Sequence, residues 1–152
     1  MAFIPKGAKW YLATLVEEIT VEGDSRNVVH KNLLLVRADC PEQAYENALN
    51  LGKQSESSYE NPKGMMVRIK FRGLRELNVI YDELEHGAEL SYQESVGVPE
   101  KEIEALLRRK EDLGVFQPIT PTTGPDYSSR EIVEEAKRLI DSNAAGAPSH
   151  KS

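Results

Sequence analysis

The sequence predicts an α+β protein: an antiparallel sheet of four to five strands in a hairpin, helix, hairpin-like order, with one helix packed on a face and further helices at the C-terminus. Three observations predict it. Apolar side chains alternate with period two over Trp10–Val21, turn-forming residues at Glu22-Gly23-Asp24-Ser25 send the chain back, and a short helical pattern opens at Pro41. At 152 residues and 17.0 kDa the chain suits one domain and an appendage.

Along the first strand Tyr11, Ala13, Leu15, Ile19 and Val21 share a face, Glu17 being the exception, while Thr14, Glu18 and Thr20 point the other way. Val28–Val36 reads as the returning strand of the hairpin. Its run Leu33-Leu34-Leu35-Val36 is apolar on both faces, which predicts a central position. Asp39 and Glu42 stand three apart like a capping box, and Pro41 suits a first helical turn. The helix then runs to about Leu51, with Ala44, Ala48 and Leu51 as its stripe and Gly52 placed as the cap. Lys53–Gly64 is polar and reads as a loop.

Met66–Phe71 alternates again, with Val67, Ile69 and Phe71 inward and Arg68, Lys70 and Arg72 outward. Gly73 ends that strand, Val79–Leu84 forms a fourth, and Ala88–Gln93 pairs back as a fifth after the turn at Glu85-His86-Gly87. Pro99 opens a helix whose face is Ile103, Leu106, Leu107 and Leu113, and Gly114 stops it. Four spans follow: a domain over 1–113, a proline-rich linker over 114–127, an amphipathic helix over 128–142 opening at Ser128-Ser129-Arg130-Glu131, and a disordered tail over 143–152.

Charge narrows the function classes. Residues 1–113 hold 15 Lys and Arg against 20 Asp and Glu, so the globular part is acidic. A negative field repels phosphate backbones and anionic lipid, which disfavours nucleic acid and membrane as partners. The single cysteine, Cys40, forms no intrachain disulfide and suits a reducing compartment. Met1–Lys9 does not read as a secretory signal, and no run approaches a bilayer span, so a cytoplasmic location is expected.

Several short stretches together resemble one bacterial family. They are Trp10-Tyr11-Leu12-Ala13, Leu35-Val36-Arg37-Ala38-Asp39 leading into Pro41-Glu42-Gln43-Ala44-Tyr45, then Arg72-Gly73-Leu74, Ile80-Tyr81-Asp82-Glu83-Leu84 and His86-Gly87-Ala88-Glu89-Leu90. In order and spacing they resemble the domain of unknown function 4288 family over about residues 10–93. Cys40 stands where that family would usually cap the helix with serine. The resemblance implies a hairpin, helix, hairpin arrangement and assigns no catalytic residue.

Three features can carry chemistry. Asp82, Glu85, His86 and Glu89, with Glu83 among them, crowd around one turn. Carboxylates with a histidine can hold a divalent metal or move protons, yet strand alternation separates Asp82 from Glu83, and a charged turn is first of all a solvated one. Arg68, Lys70 and Arg72 project from one strand face, with Arg75 beyond, at about 6.6 Å intervals that suit a polyanion. Pairing with Glu18 or Glu89 across strands is the plainer role. Ile132, Val133, Ala136, Leu139 and Ile140 make the apolar side of the last helix, which must dock on its own sheet or on a partner.

The functional expectation is a small non-catalytic protein-interaction or regulatory module, needing no cofactor or metal. A protein partner, including a second copy of the chain, is compatible with it. The alternatives are a metal-binding or hydrolase-like protein using the acidic turn, and a binder of single-stranded nucleic acid or another polyanion using the basic strand.

Overall fold

Alternation sets β1 (Trp10–Val21) at the middle of the architecture. Its inward residues Tyr11, Ala13, Leu15, Ile19 and Val21 are all buried. In this computed structural model, which describes residues 4–119 and 123–146, the other elements are β2 (Val28–Arg37), α1 (Pro41–Ser55), β3 (Ser57–Glu60), β4 (Met66–Val79), α2 (Glu100–Leu106) and α3 (Arg130–Gly146). The four strands form one antiparallel sheet in the order β2-β1-β4-β3, and the protein is α+β overall. The β1–β2 turn is pinned by Asp24, whose carboxylate accepts the Arg26 backbone N–H at 3.0 Å and its guanidinium at 2.9 and 3.1 Å.

Five expectations are corrected. The leucine run lies on β2, an edge strand rather than a central one: Leu33 is 67% exposed and Leu35 45%. Its double-sided apolarity therefore reflects a face left open, not a neighbour on each side. The strand starting at Met66 does not stop at Gly73. It runs on to Val79, because Gly73 takes a φ of 141° and the pairing with β1 skips Arg72 and Arg75, two bulges that bend β4 without breaking it. Val79–Leu84 and Ala88–Gln93 are accordingly not strands; residues 80–99 are coil and bends. The fourth strand is β3, inside the stretch expected to be a loop, where the turn Asn61–Gly64 folds it back on β4. Finally, the helix after Pro99 ends at Leu106 and gives way to single 3-10 turns at Lys110–Asp112 and Gly114–Phe116. Its apolar side chains are exposed, so no packing extends it, and a lone helix that short is marginal in water.

Helix α1 also departs in detail. Gly52 does not cap it but lies within it, buried, where a Cβ would fall 2.5 Å from the Phe71 ring. The helix can approach β4 there only because position 52 has no side chain. At its start Cys40 offers no side-chain cap, and the Gln43 side-chain oxygen accepts the Asp39 N–H at 2.6 Å. Asp39 instead pairs with Lys9 at 2.5 Å.

One length decides how the core is closed. Twelve strand residues at about 3.3 Å make β1 about 40 Å long, whereas fifteen helical residues at about 1.5 Å make α1 about 22 Å. The helix covers one end of the sheet face, where Tyr11, Ala13, Leu15, Val36 and Val79 pack with Ala44 and Ala48. At the other end Ile19, Val21 and Val67 form a separate cluster, joined by Tyr59, Ile69 and Tyr127. The second cover therefore comes from residues 123–130, within and after the stretch read as linker. Pro125 is buried, and the Tyr59 hydroxyl donates to the Tyr127 carbonyl. Asn61, itself 2% exposed, donates to the Asp126 carbonyl at 3.1 Å and accepts the N–H groups of Lys63 and Met65. His30 meets the Tyr127 ring edge-on, with centroids 5.4 Å apart.

Helix α3 follows directly. Ser129 is its cap, the hydroxyl accepting the Ile132 N–H at 3.3 Å, while Ser128 is drawn to Asp126. It runs to Gly146, past the expected end at 142. The remainder of the expected tail, residues 147–152, and Thr120–Thr122 of the linker lie outside the described residues.

Three outcomes follow. Gly52→Ala should destabilise by about 1–3 kcal/mol in denaturant unfolding, because the new methyl displaces the Phe71 ring from a packed site. Asn61→Ala should cost about 1–3 kcal/mol and speed hydrogen exchange at residues 126–128, since it strands two N–H groups and a carbonyl. The Arg26 hydrogen bonds hold the Asp24 carboxyl down from 3.8 to about 2, so its contribution is complete above the higher value and is lost as pH falls toward the lower one. In acid unfolding, the difference between wild type and Asp24→Asn should shrink across that window.

Candidate functional site

The acidic residues expected to gather divide between two concavities that share Asp82. Asp82, Glu85, His86 and Glu89 all lie exposed on the coil that follows β4. The Glu85 carbonyl accepts the Ala88 N–H at 3.0 Å and Gly87 takes a φ of 87°, which makes a tight turn. Asp82 accepts the Glu89 N–H at 2.9 Å, so its carboxylate ties the coil together. Asp82, Glu83, Glu85 and His86 border a depression of about 290 Å³. Among the described residues, no three His, Cys, Asp or Glu side chains converge to hold a metal ion.

The basic residues keep to one strand. Arg68 and Lys70 stand opposite Thr20 and Glu18 on β1, and the Arg72 guanidinium reaches the Glu18 carboxylate at 3.4 Å. Glu18 also accepts from the Asn27 side chain at 2.7 Å. Arg72 and Arg75 sit at the two β4 bulges, so the even two-residue spacing expected from the sequence is interrupted. All four basic side chains are exposed on a surface shared with Glu18 and Glu76.

On α3, Ile132, Leu139 and Ile140 are 67%, 60% and 66% exposed, Ala136 is exposed too, and only Val133 is partly covered. The helix is held near its start, where Arg130 lies 3.8 Å from Glu60 of β3 and 3.5 Å from Glu134 of its own next turn. No helix among the described residues is long and apolar enough to cross a membrane.

Two arrangements escaped reading from the sequence. The first is Glu17, buried at 7% between the two covers of the sheet, where its carboxylate accepts the Ser55 hydroxyl at 2.5 Å and the Asn32 amide at 2.8 Å. Its break in the β1 alternation was the available signal, and Ser55 and Asn32 are partners that only the folded chain supplies.

The second is a cavity of about 790 Å³ at the start of α1. It is lined by Ile4, Tyr11 of β1, Leu77 to Val79 of β4, Pro41 and Glu42 of α1, and residues of the coil between Tyr81 and Glu94. Tyr11 is 2% exposed, and among the described residues its hydroxyl has no hydrogen-bond partner. Burial raises the phenol above its ordinary value, with Cys40 and Asp39 adding to the effect, so the group is a neutral donor and acceptor at physiological pH. The described lining carries the carboxylates of Glu42, Asp82, Glu89 and Glu94 and no lysine or arginine. Nothing in the sequence foretold it, because the residues come from five separate stretches of the chain.

No curated protein and no solved structure matches the chain. The profile of the family described as Domain of unknown function (DUF4288) matches residues 10–92, which takes in the whole sheet, α1 and nearly all of the coil that walls the cavity. The chain belongs to the DUF4288 family.

Proposed function

We propose that this protein is a non-catalytic protein-interaction module that docks through the open edge of its sheet, along β2. One observation carries this reading: β2 is a ten-residue edge strand, paired among the described residues only to β1, whose outer row keeps Val29 at 53%, Leu33 at 67% and Leu35 at 45% exposure. Edge strands are ordinarily kept short, bulged or charged, because their free N–H and C=O groups recruit other strands. The opposite edge fits that pattern, being the four-residue β3 with residues 123–130 beside it. β2 fits it less well: it has no proline, and the charges of its exposed row are Lys31 and the terminal Arg37, with Leu33 and Leu35 between them.

The occupant we assign is a second copy of the chain. Two β2 strands pairing antiparallel would use the same surface on each copy, the isologous contact that closes a twofold dimer, and would bring the two leucine rows together. The exposed apolar side of α3 is a further surface of the same character. A cytoplasmic setting accords with Cys40, exposed and free.

Sedimentation equilibrium over a wide concentration range tests this. The wild-type chain should dimerise, and Leu33→Lys/Leu35→Lys should weaken association by about tenfold or more, each buried leucine being worth about 1.5–3 kcal/mol, with the thermal unfolding of the monomer unchanged. A wild type that stays monomeric throughout, or a dimer indifferent to both lysines, refutes the assignment.

A further inference from the structure

The cavity above Tyr11 lies apart from β2 and its chemistry points elsewhere. We propose that it is a binding site for an organic cation with an apolar stem, an alkylammonium or guanidinium group. Its volume of about 790 Å³ falls within the range, roughly 300–1,000 Å³, in which proteins hold small organic molecules. Around that space stand Glu42, Asp82, Glu89 and Glu94, with no basic residue among the described lining to neutralise them. These carboxylates surround the space without converging as a metal-ligand set, so they suit a larger cation whose charge is met from several sides.

Two further features select the ligand. Tyr92, an exposed aromatic residue of the lining, is of the kind whose ring attracts ammonium and guanidinium groups. Tyr11 also lines the cavity, and its buried hydroxyl has no hydrogen-bond partner among the described residues, a capacity that a cationic N–H donor reaching it would fill. The positive end of α1 acts in the opposite sense, but it amounts to about half a unit charge, and Glu42 in its first turn already answers it. The apolar stem has Ile4, Leu77 and Leu90 to lie against.

The same chemistry arrives either as a free amine or as an arginine side chain of another protein, and amide NMR of the full chain separates these. Phenethylammonium and Nα-acetylarginine methylamide serve as cationic probes, with phenylacetate as the anionic control. Both cations should give saturable shifts at Tyr11, Asn78 and Tyr92, and phenylacetate none. Tighter binding of the arginine amide identifies a protein side chain as the ligand, and tighter binding of phenethylammonium identifies a free amine.

Glu42→Gln/Glu94→Gln should weaken the cations by about tenfold or more. Tyr11→Phe should lower affinity while the free protein melts no earlier, since the lost hydroxyl had no partner to lose. Absence of saturable shifts with both cations, equal binding of phenylacetate, or unchanged affinity in the double glutamine variant would overturn the proposal. Unchanged affinity in Tyr11→Phe would overturn the part given to the hydroxyl.

Discussion

The mismatch between a long sheet and a short helix governs this molecule. β1 and β4 pair from Tyr11 with Val79 at one end to Val21 with Val67 at the other, and α1 reaches over only part of that span. An apolar strand face left in water forfeits about 25 cal/mol for each Å² that could be buried, so the uncovered end must be closed by other residues. Tyr127 and the buried Pro125 close it, with hydrogen bonds from Tyr59 and Asn61 fixing them in place. These covering residues lie beyond the stretch 10–92 that defines the family. This chain thus completes its core with a segment from outside the family domain.

Polar groups mark the joints of this construction. Glu17 stands where the first cover ends, and its burial is tolerable because Ser55 and Asn32 both donate to it. Asn61 has the corresponding place at the second cover, using its amide as donor and its carbonyl as a double acceptor. Tyr11 breaks this rule. It is as deeply buried as either, yet its hydroxyl is unmatched within the described chain, and it is this contrast that singles out the cavity beside α1.

Where side-chain periodicity was strong, the fold could be read directly. Strand alternation located β1, the inward set Val67, Ile69 and Phe71, and the alanine stripe of α1 without help from tertiary structure. Misreadings arose where one residue type serves two purposes. Gly73 looks like a stop but acts as a bulge, Gly52 looks like a cap but makes room for Phe71, and a leucine run that signals burial on both faces belongs to an edge. Prolines 118, 121 and 125 read alike as spacers, although Pro125 packs. Of the candidate sites, the charged turn and basic strand were visible because their members are near neighbours in sequence. The Tyr11 cavity was not, since it is assembled from the chain near Ile4, β1, α1, β4 and the later coil.

The position of Tyr127 along the chain bears on biosynthesis. Every strand of the sheet has been made by Val79, but the residues that seal its far end are polymerised almost fifty positions later. At elongation rates of about 5–20 residues per second, Ile19, Val21 and Val67 wait on the order of seconds for their cover. During that interval the nascent sheet has one dry end and one wet end, and its adhesive surface is greatest before release from the ribosome. Docking of Tyr127 is then a late, long-range closure, the kind of step that slows folding and gives chaperones something to hold.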